Sequence, residues 1–175
     1  MDFAKKGSFG SAEFQESIER LADISVRKEV TEAALFTLLI GNADLHEENI
    51  MMNQDKREGL GLTLIDFGLT MPVANPTQGQ NYKKSVLSDL GDLELDRKAA
   101  LKFLDRLQDK EVQRELFSKS ERDYGSKHER RIKQAFIRRV EFLLNERRRM
   151  LEFEKTPTFQ AIFRPLDPDS YHMFR

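Results

Sequence analysis

Two short apolar-rich runs, residues 49–53 and 61–65, flank the charged stretch Gln54-Asp55-Lys56-Arg57-Glu58-Gly59. Short runs separated by a polar, glycine-ended stretch read as a small two-stranded unit with the charged stretch as its exposed loop. Immediately before the first run comes Gly41-Asn42-Ala43-Asp44-Leu45-His46-Glu47-Glu48-Asn49, and immediately after the second comes Asp66-Phe67-Gly68. The chain ahead of Gly41 is of another kind. Ala33, Ala34, Leu35, Phe36, Leu38, Leu39 and Ile40 form a run too apolar for a surface helix, which predicts a largely buried helix delivering the chain into a turn at Gly41.

Helical periodicity accounts for most of what remains. Phe14, Ile18 and Leu21 recur at helical spacing. Asp96 is placed to cap a helix whose Ala100, Leu101, Leu104 and Leu107 face inward, and Asp109 to cap another bearing Val112 and Leu116. Residues 128–151 carry the longest helical signal, with Ile132, Phe136, Val140, Leu143 and Leu144 as the inward stripe. Pro72, Pro76 and Gly79 make residues 70–80 a loop. After Glu154, Pro157, Pro165 and Pro168 are interspersed with Phe159, Ile162, Phe163 and Phe174, which predicts an irregular tail docked through its aromatic side chains, with a disordered tail as the alternative. The expected fold class is α+β, a mostly helical lobe with one small β unit carrying both polar clusters. Residues 1–10 are expected to form a flexible lead-in, 11–151 the lobe and 152–175 the tail.

Composition narrows the classes of partner. A chain of 175 residues suffices for one domain with a real core. A formal net charge of -1 predicts no general attraction to nucleic acid or to an anionic membrane. The absence of cysteine excludes disulfides, thiolate metal sites and cysteine nucleophiles, and fits a reducing compartment. No apolar run approaches the roughly 20 residues of a transmembrane helix, and the N-terminus has no signal-peptide core, so a cytoplasmic location is expected. Arg130-Arg131, Arg138-Arg139 and Arg147-Arg148-Arg149 are interspersed with Glu129, Glu141 and Glu146, which predicts a solvated helix face rather than a sequence-specific nucleic-acid surface.

The two polar clusters carry the chemistry. Phosphoryl transfer needs a carboxylate near the attacking hydroxyl, oxygen ligands for magnesium and a surface that orients the phosphates. Asp44 and Asn49, in a loop after a helix, supply a carboxylate and a neutral oxygen ligand. Asp66, at the end of a strand, supplies a second carboxylate. Ligands of this type suit magnesium, with manganese as the alternative, better than zinc.

At these residues the chain resembles the kinase-like superfamily, in particular its atypical branch of aminoglycoside and choline phosphotransferases, phosphoinositide kinases and HipA-like protein kinases. The resemblance covers Asn42-Ala43-Asp44-Leu45-His46-Glu47-Glu48-Asn49 as a catalytic loop and Asp66-Phe67-Gly68 as a metal loop. It implies that Asp44 orients or deprotonates the acceptor hydroxyl, that Asn49 and Asp66 bind magnesium and so hold ATP, and that His46 braces the loop or approaches the transferred phosphate. Asn42 stands where a histidine or tyrosine is common in the family. Only about forty residues precede Asp44, too few for the usual nucleotide-clamping lobe. Lys5-Lys6-Gly7-Ser8-Phe9-Gly10-Ser11 resembles a glycine-rich phosphate loop without room for the strand lysine and helix that follow one. The resemblance therefore implies a kinase-like C-terminal lobe whose nucleotide-binding lobe is missing, replaced or supplied by a partner chain.

The expected activity is transfer of the γ-phosphate of ATP to a protein hydroxyl, in preference to a lipid or small alcohol, because residues 70–95 and the charged helix surface offer a wide docking area. Two other readings stand beside it: a catalytically inactive interaction module built on the same helical scaffold, and a metal-dependent phosphohydrolase using Asp44, His46 and Asp66. Asp92, in Asp89-Leu90-Gly91-Asp92, is expected at the surface or as a cap, with bracing of the catalytic loop as the alternative.

Overall fold

The computed structural model describes residues 16, 19–24, 26–42, 49–55, 59–64, 86–121 and 126–163. The expected amphipathic segment around Phe14 and Ile18, the loop at 70–80 and the chain beyond Phe163 lie outside the described residues. Helix α1 (Arg27–Ile40) is the centre of the domain. Val30, Thr31, Ala33, Ala34, Leu35, Thr37, Leu38 and Leu39 are all buried, so the helix has core on most of its circumference, as its nearly continuous apolar sequence requires. Full burial of each leucine stabilises by about 1.5–3 kcal/mol relative to exposure.

Strands β1 (Ile50–Asp55) and β2 (Gly59–Leu64) pair antiparallel, with Ile50 opposite Leu64 and Asp55 opposite Gly59. Among the described residues this is the only sheet. The hairpin runs further toward its turn than the apolar pattern predicts, to Asp55 paired with Gly59, because the backbone ladder sets this pairing while Gln54, Asp55 and Gly59 contribute nothing to an apolar pattern. At the other end Ile50 is buried, Leu62 and Leu64 are half-buried against the core, and Thr63 is exposed, the two-residue alternation of a sheet with one packed face.

A 3₁₀ turn (Val86–Leu90) precedes α2 (Arg97–Leu107) and α3 (Lys110–Glu121). Asp96 caps α2, accepting from the Ala99 N–H at 2.7 Å, and its own N–H donates to buried Thr31 Oγ1 at 2.8 Å, tying the cap to α1. Asp109 Oδ1 accepts from the Glu111 N–H at 2.8 Å at the start of α3. Ala99, Ala100, Leu104 and Leu107 are buried, with Leu101 half-buried beside them. Helix α4 (Ser126–Phe153) buries Phe136, Val140, Leu143 and Met150 against α1 and α2. Arg97 and Arg147 fasten it to α2, through the Met150 carbonyl at 2.7 Å and Asp105 Oδ1 at 2.7 Å. The domain is thus small and mostly helical.

Residues 154–163, the described part of the chain after α4, are more ordered than an irregular tail. Glu154 ends α4 at a φ of 52°, and residues 91–95 then pair with 157–160: Leu95 donates to Pro157 O, Phe159 to Leu93 O and Gln160 to Gly91 O, each at 3.0 Å. Helix α5 (Phe159–Phe163) follows, with Phe159, Ile162 and Phe163 buried. Pro157 lacks an N–H, but only its carbonyl is needed by the pairing, so the proline that suggested irregularity is compatible with it. Phe159 is fully buried in the common core. Phe159→Ala is expected to destabilise by about 3–5 kcal/mol, against about 0.5–2 kcal/mol for removing the Asp96 cap by Asp96→Ala. Urea denaturation of both variants checks this; a smaller loss for Phe159→Ala than for Asp96→Ala would show that the tail is dispensable to the fold.

Candidate functional site

The site is approached through the C-terminus of α1. A helix leaves its last four carbonyls without intrahelical donors. Here they are those of Thr37, Leu38, Leu39 and Ile40. Gly41 adopts a left-handed conformation (φ 63°, ψ 42°); its N–H donates to Leu38 O at 3.0 Å and the Asn42 N–H donates to Thr37 O at 3.0 Å. This is the paired arrangement of a Schellman motif, which reverses the chain sharply and satisfies two of the four carbonyls. The third is taken from across the fold: Arg139 of α4 donates its Nε–H to Leu39 O at 3.1 Å, a contact spanning 100 residues of sequence.

Arg139 is buried, with 6% of its surface exposed, which corrects the expectation of a wholly solvated arginine face on this helix. Arg138 is half-buried and Arg148 and Arg149 are exposed, whereas Arg139 lies three residues after Phe136 and four before Leu143, on the apolar stripe. That register was the sequence signal for it. The last turn of α1 contains no basic residue, so the positive charge beside this helix end comes from α4. The guanidinium also packs directly on Gly41: a Cβ there would sit 2.5 Å from Arg139 Nη1 and 2.7 Å from Cζ.

Asn42 and Asn49, at the two ends of the polar cluster, are both buried, at 0% and 5% exposure, and neither lacks a partner. Asn49 directly precedes β1, and the hairpin register sets Ile50 against Leu64, the last residue of β2. Asp44, His46 and Asp66 lie outside the described residues, as do Phe67, Gly68 and the lysines of the N-terminal glycine-containing stretch. Asp92 is exposed, the surface position expected for it. Among the described residues no group of three or more His, Cys, Asp or Glu could hold a metal ion, and no helix is long and apolar enough to cross a membrane. No protein-family model, curated protein or solved structure matches the chain.

Gly41 answers to two constraints, the positive φ and the guanidinium. Gly91 (φ 56°) answers only to the first, since a Cβ at that position would meet nothing closer than Asp89 O at 3.9 Å. Gly91→Ala is therefore expected to cost about 1–2 kcal/mol, the strain of a left-handed alanine. Gly41→Ala should cost clearly more and lower the melting temperature by an additional several degrees, about 2–4 °C per kcal/mol for a chain of this size. Equal losses in the two variants would show that the Arg139 contact imposes nothing on this turn.

Proposed function

We propose that the chain carries the catalytic lobe of an ATP-dependent phosphotransferase, with a protein hydroxyl as the favoured acceptor. The observation that carries this reading is the hairpin register. Because Ile50 faces Leu64, Asn49 enters one strand at the same end at which the chain leaves the other toward Asp66. Asn49 directly precedes Ile50 in sequence and Asp66 follows Leu64 by two residues, which supports reading the two as parts of one metal-phosphate site. The buried helix α1 ends at the Gly41 turn, directly ahead in sequence of Asp44 and His46.

The donor chemistry agrees with magnesium. The Asn49 amide oxygen and the Asp66 carboxylate are hard oxygen donors, and they are the residues that would hold the metal and, through it, ATP. When bound, magnesium neutralises charge on the phosphates and ATP supplies the transferable phosphoryl group. The remaining work belongs to side chains of the loop. Asp44 orients the acceptor hydroxyl and receives its proton, and His46 braces the loop or approaches the transferred group. Burial of Asn49 favours a fixed ligand direction, since an amide held by its surroundings needs no reorganisation to bind.

Selectivity among acceptors lies in pocket shape and approach loops rather than in these groups. The exposed, mixed-charge surfaces of α2 and α4 favour a protein over a small alcohol. The test is incubation of the full assembly, including whatever chain supplies the nucleotide-binding lobe, with γ-labelled ATP and magnesium beside protein, phospholipid and small-alcohol acceptors, run in parallel with Asp66→Ala. Metal-dependent labelling of protein acceptors, reduced at least about 100-fold by the substitution, is the expected result. Equal labelling by both proteins would remove Asp66 from the chemistry, and labelling confined to lipid would overturn the acceptor assignment.

A further inference from the structure

We propose that Arg139 is the positioning residue of the turn at Gly41–Asn42: it fixes the direction in which the chain leaves α1 from an element distant in sequence. The catalytic consequence rests on the phosphotransferase reading; the geometric one does not. Three observations converge on it. The Nε–H donates to Leu39 O at 3.1 Å, supplying a carbonyl that the Schellman bonds leave over. The guanidinium occupies the space in which any side chain at residue 41 would stand, so the arginine packs against this turn only because residue 41 is glycine. And the group is 6% exposed, which removes it from any role that needs solvent or a diffusing ligand.

A buried cation is costly to desolvate, and an apolar residue of similar volume would serve a purely packing role at this position at least as well. Guanidinium differs from such a residue in being planar, always charged and able to donate in fixed directions. Those properties suit the end of a helix, where carbonyls converge with partial negative charge, and they suit a turn whose exit angle must be held. Lysine retains the charge but has no planar fork and no Nε–H, so Arg139→Lys separates positioning from charge compensation. Arg139→Met removes both while keeping an unbranched stem.

The experiment is amide hydrogen exchange on the full chain as wild type, Arg139→Lys and Arg139→Met, combined with steady-state phosphate transfer. The expected result for Arg139→Lys is exchange at Gly41, Asn42 and Ile50 accelerated at least about tenfold more than at Ala100 and Leu104 in α2. Alongside it, kcat should fall at least about tenfold with the KM for ATP changed less than about twofold. Uniform acceleration of all these amides, or none, would overturn the positioning role and leave Arg139 a general stabiliser. Should Arg139→Lys be too unstable to handle, the same comparison within Arg139→Met decides. If the wild-type assembly, complete with its nucleotide-binding lobe, shows no phosphate transfer, the phosphotransferase reading fails while the exchange pattern still decides whether Arg139 holds the turn. If transfer is present and unaltered in both variants, the catalytic part of the proposal fails.

Discussion

Burying α1 without leaving its C-terminal carbonyls unmet is the requirement around which the other elements are arranged. A helix with core on most sides cannot turn its last carbonyls to water, and an unsatisfied buried polar group costs about 1–3 kcal/mol. The chain meets this with local and distant donors together. Gly41 and Asn42 supply two backbone N–H groups, and Arg139 supplies a third from α4. The same contact that satisfies α1 therefore also fixes α4 against it. Gly41 has to be glycine at the point where the two requirements meet.

Around that helix the other elements are fastened by single polar contacts between larger apolar surfaces. Thr31 is an example: a buried hydroxyl within α1 accepts from the backbone of Asp96, whose side chain caps α2. Arg27 at the other end of α1 donates to Ala22 O at 2.8 Å and Glu94 O at 3.1 Å, reaching the strand-like residues that pair with the tail. These contacts set register and orientation, whereas the leucines and phenylalanines of the core carry most of the stabilisation. The exposed ion pairs, such as Arg114 with Glu111, add little by comparison.

On the proposed phosphotransferase reading, this arrangement bears on function through rigidity. A phosphoryl-transfer site gains most of its rate from positioning and electrostatic preorganisation, so the loop that carries its acidic groups has to start and end at fixed points. Asn42 and Asn49 are such points, both buried, one at the exit of α1 and the other at the entrance to β1. The hairpin adds a third fixed point at Leu64, from which the chain runs on to Asp66.

Local pattern was enough to mark the individual elements and the residue types of the candidate site. Apolar continuity marked α1 as buried, Asp96 and Asp109 marked helix starts, and two short apolar-rich runs about a charged stretch marked the hairpin, because each is a pattern over a few neighbouring residues. Asp44, His46, Asn49 and Asp66 stood out for the same reason, as polar groups at fixed spacing beside strand-like runs. Which arginine of α4 is buried, and what it does there, followed instead from long-range packing. Arg138 and Arg139 are chemically identical, and the choice between them depends on Leu39 and Gly41, about 100 residues away in the chain. Packing likewise set the proline-containing tail against residues 91–95 and brought Phe159 into the core, a pairing between distant segments that no local pattern specifies.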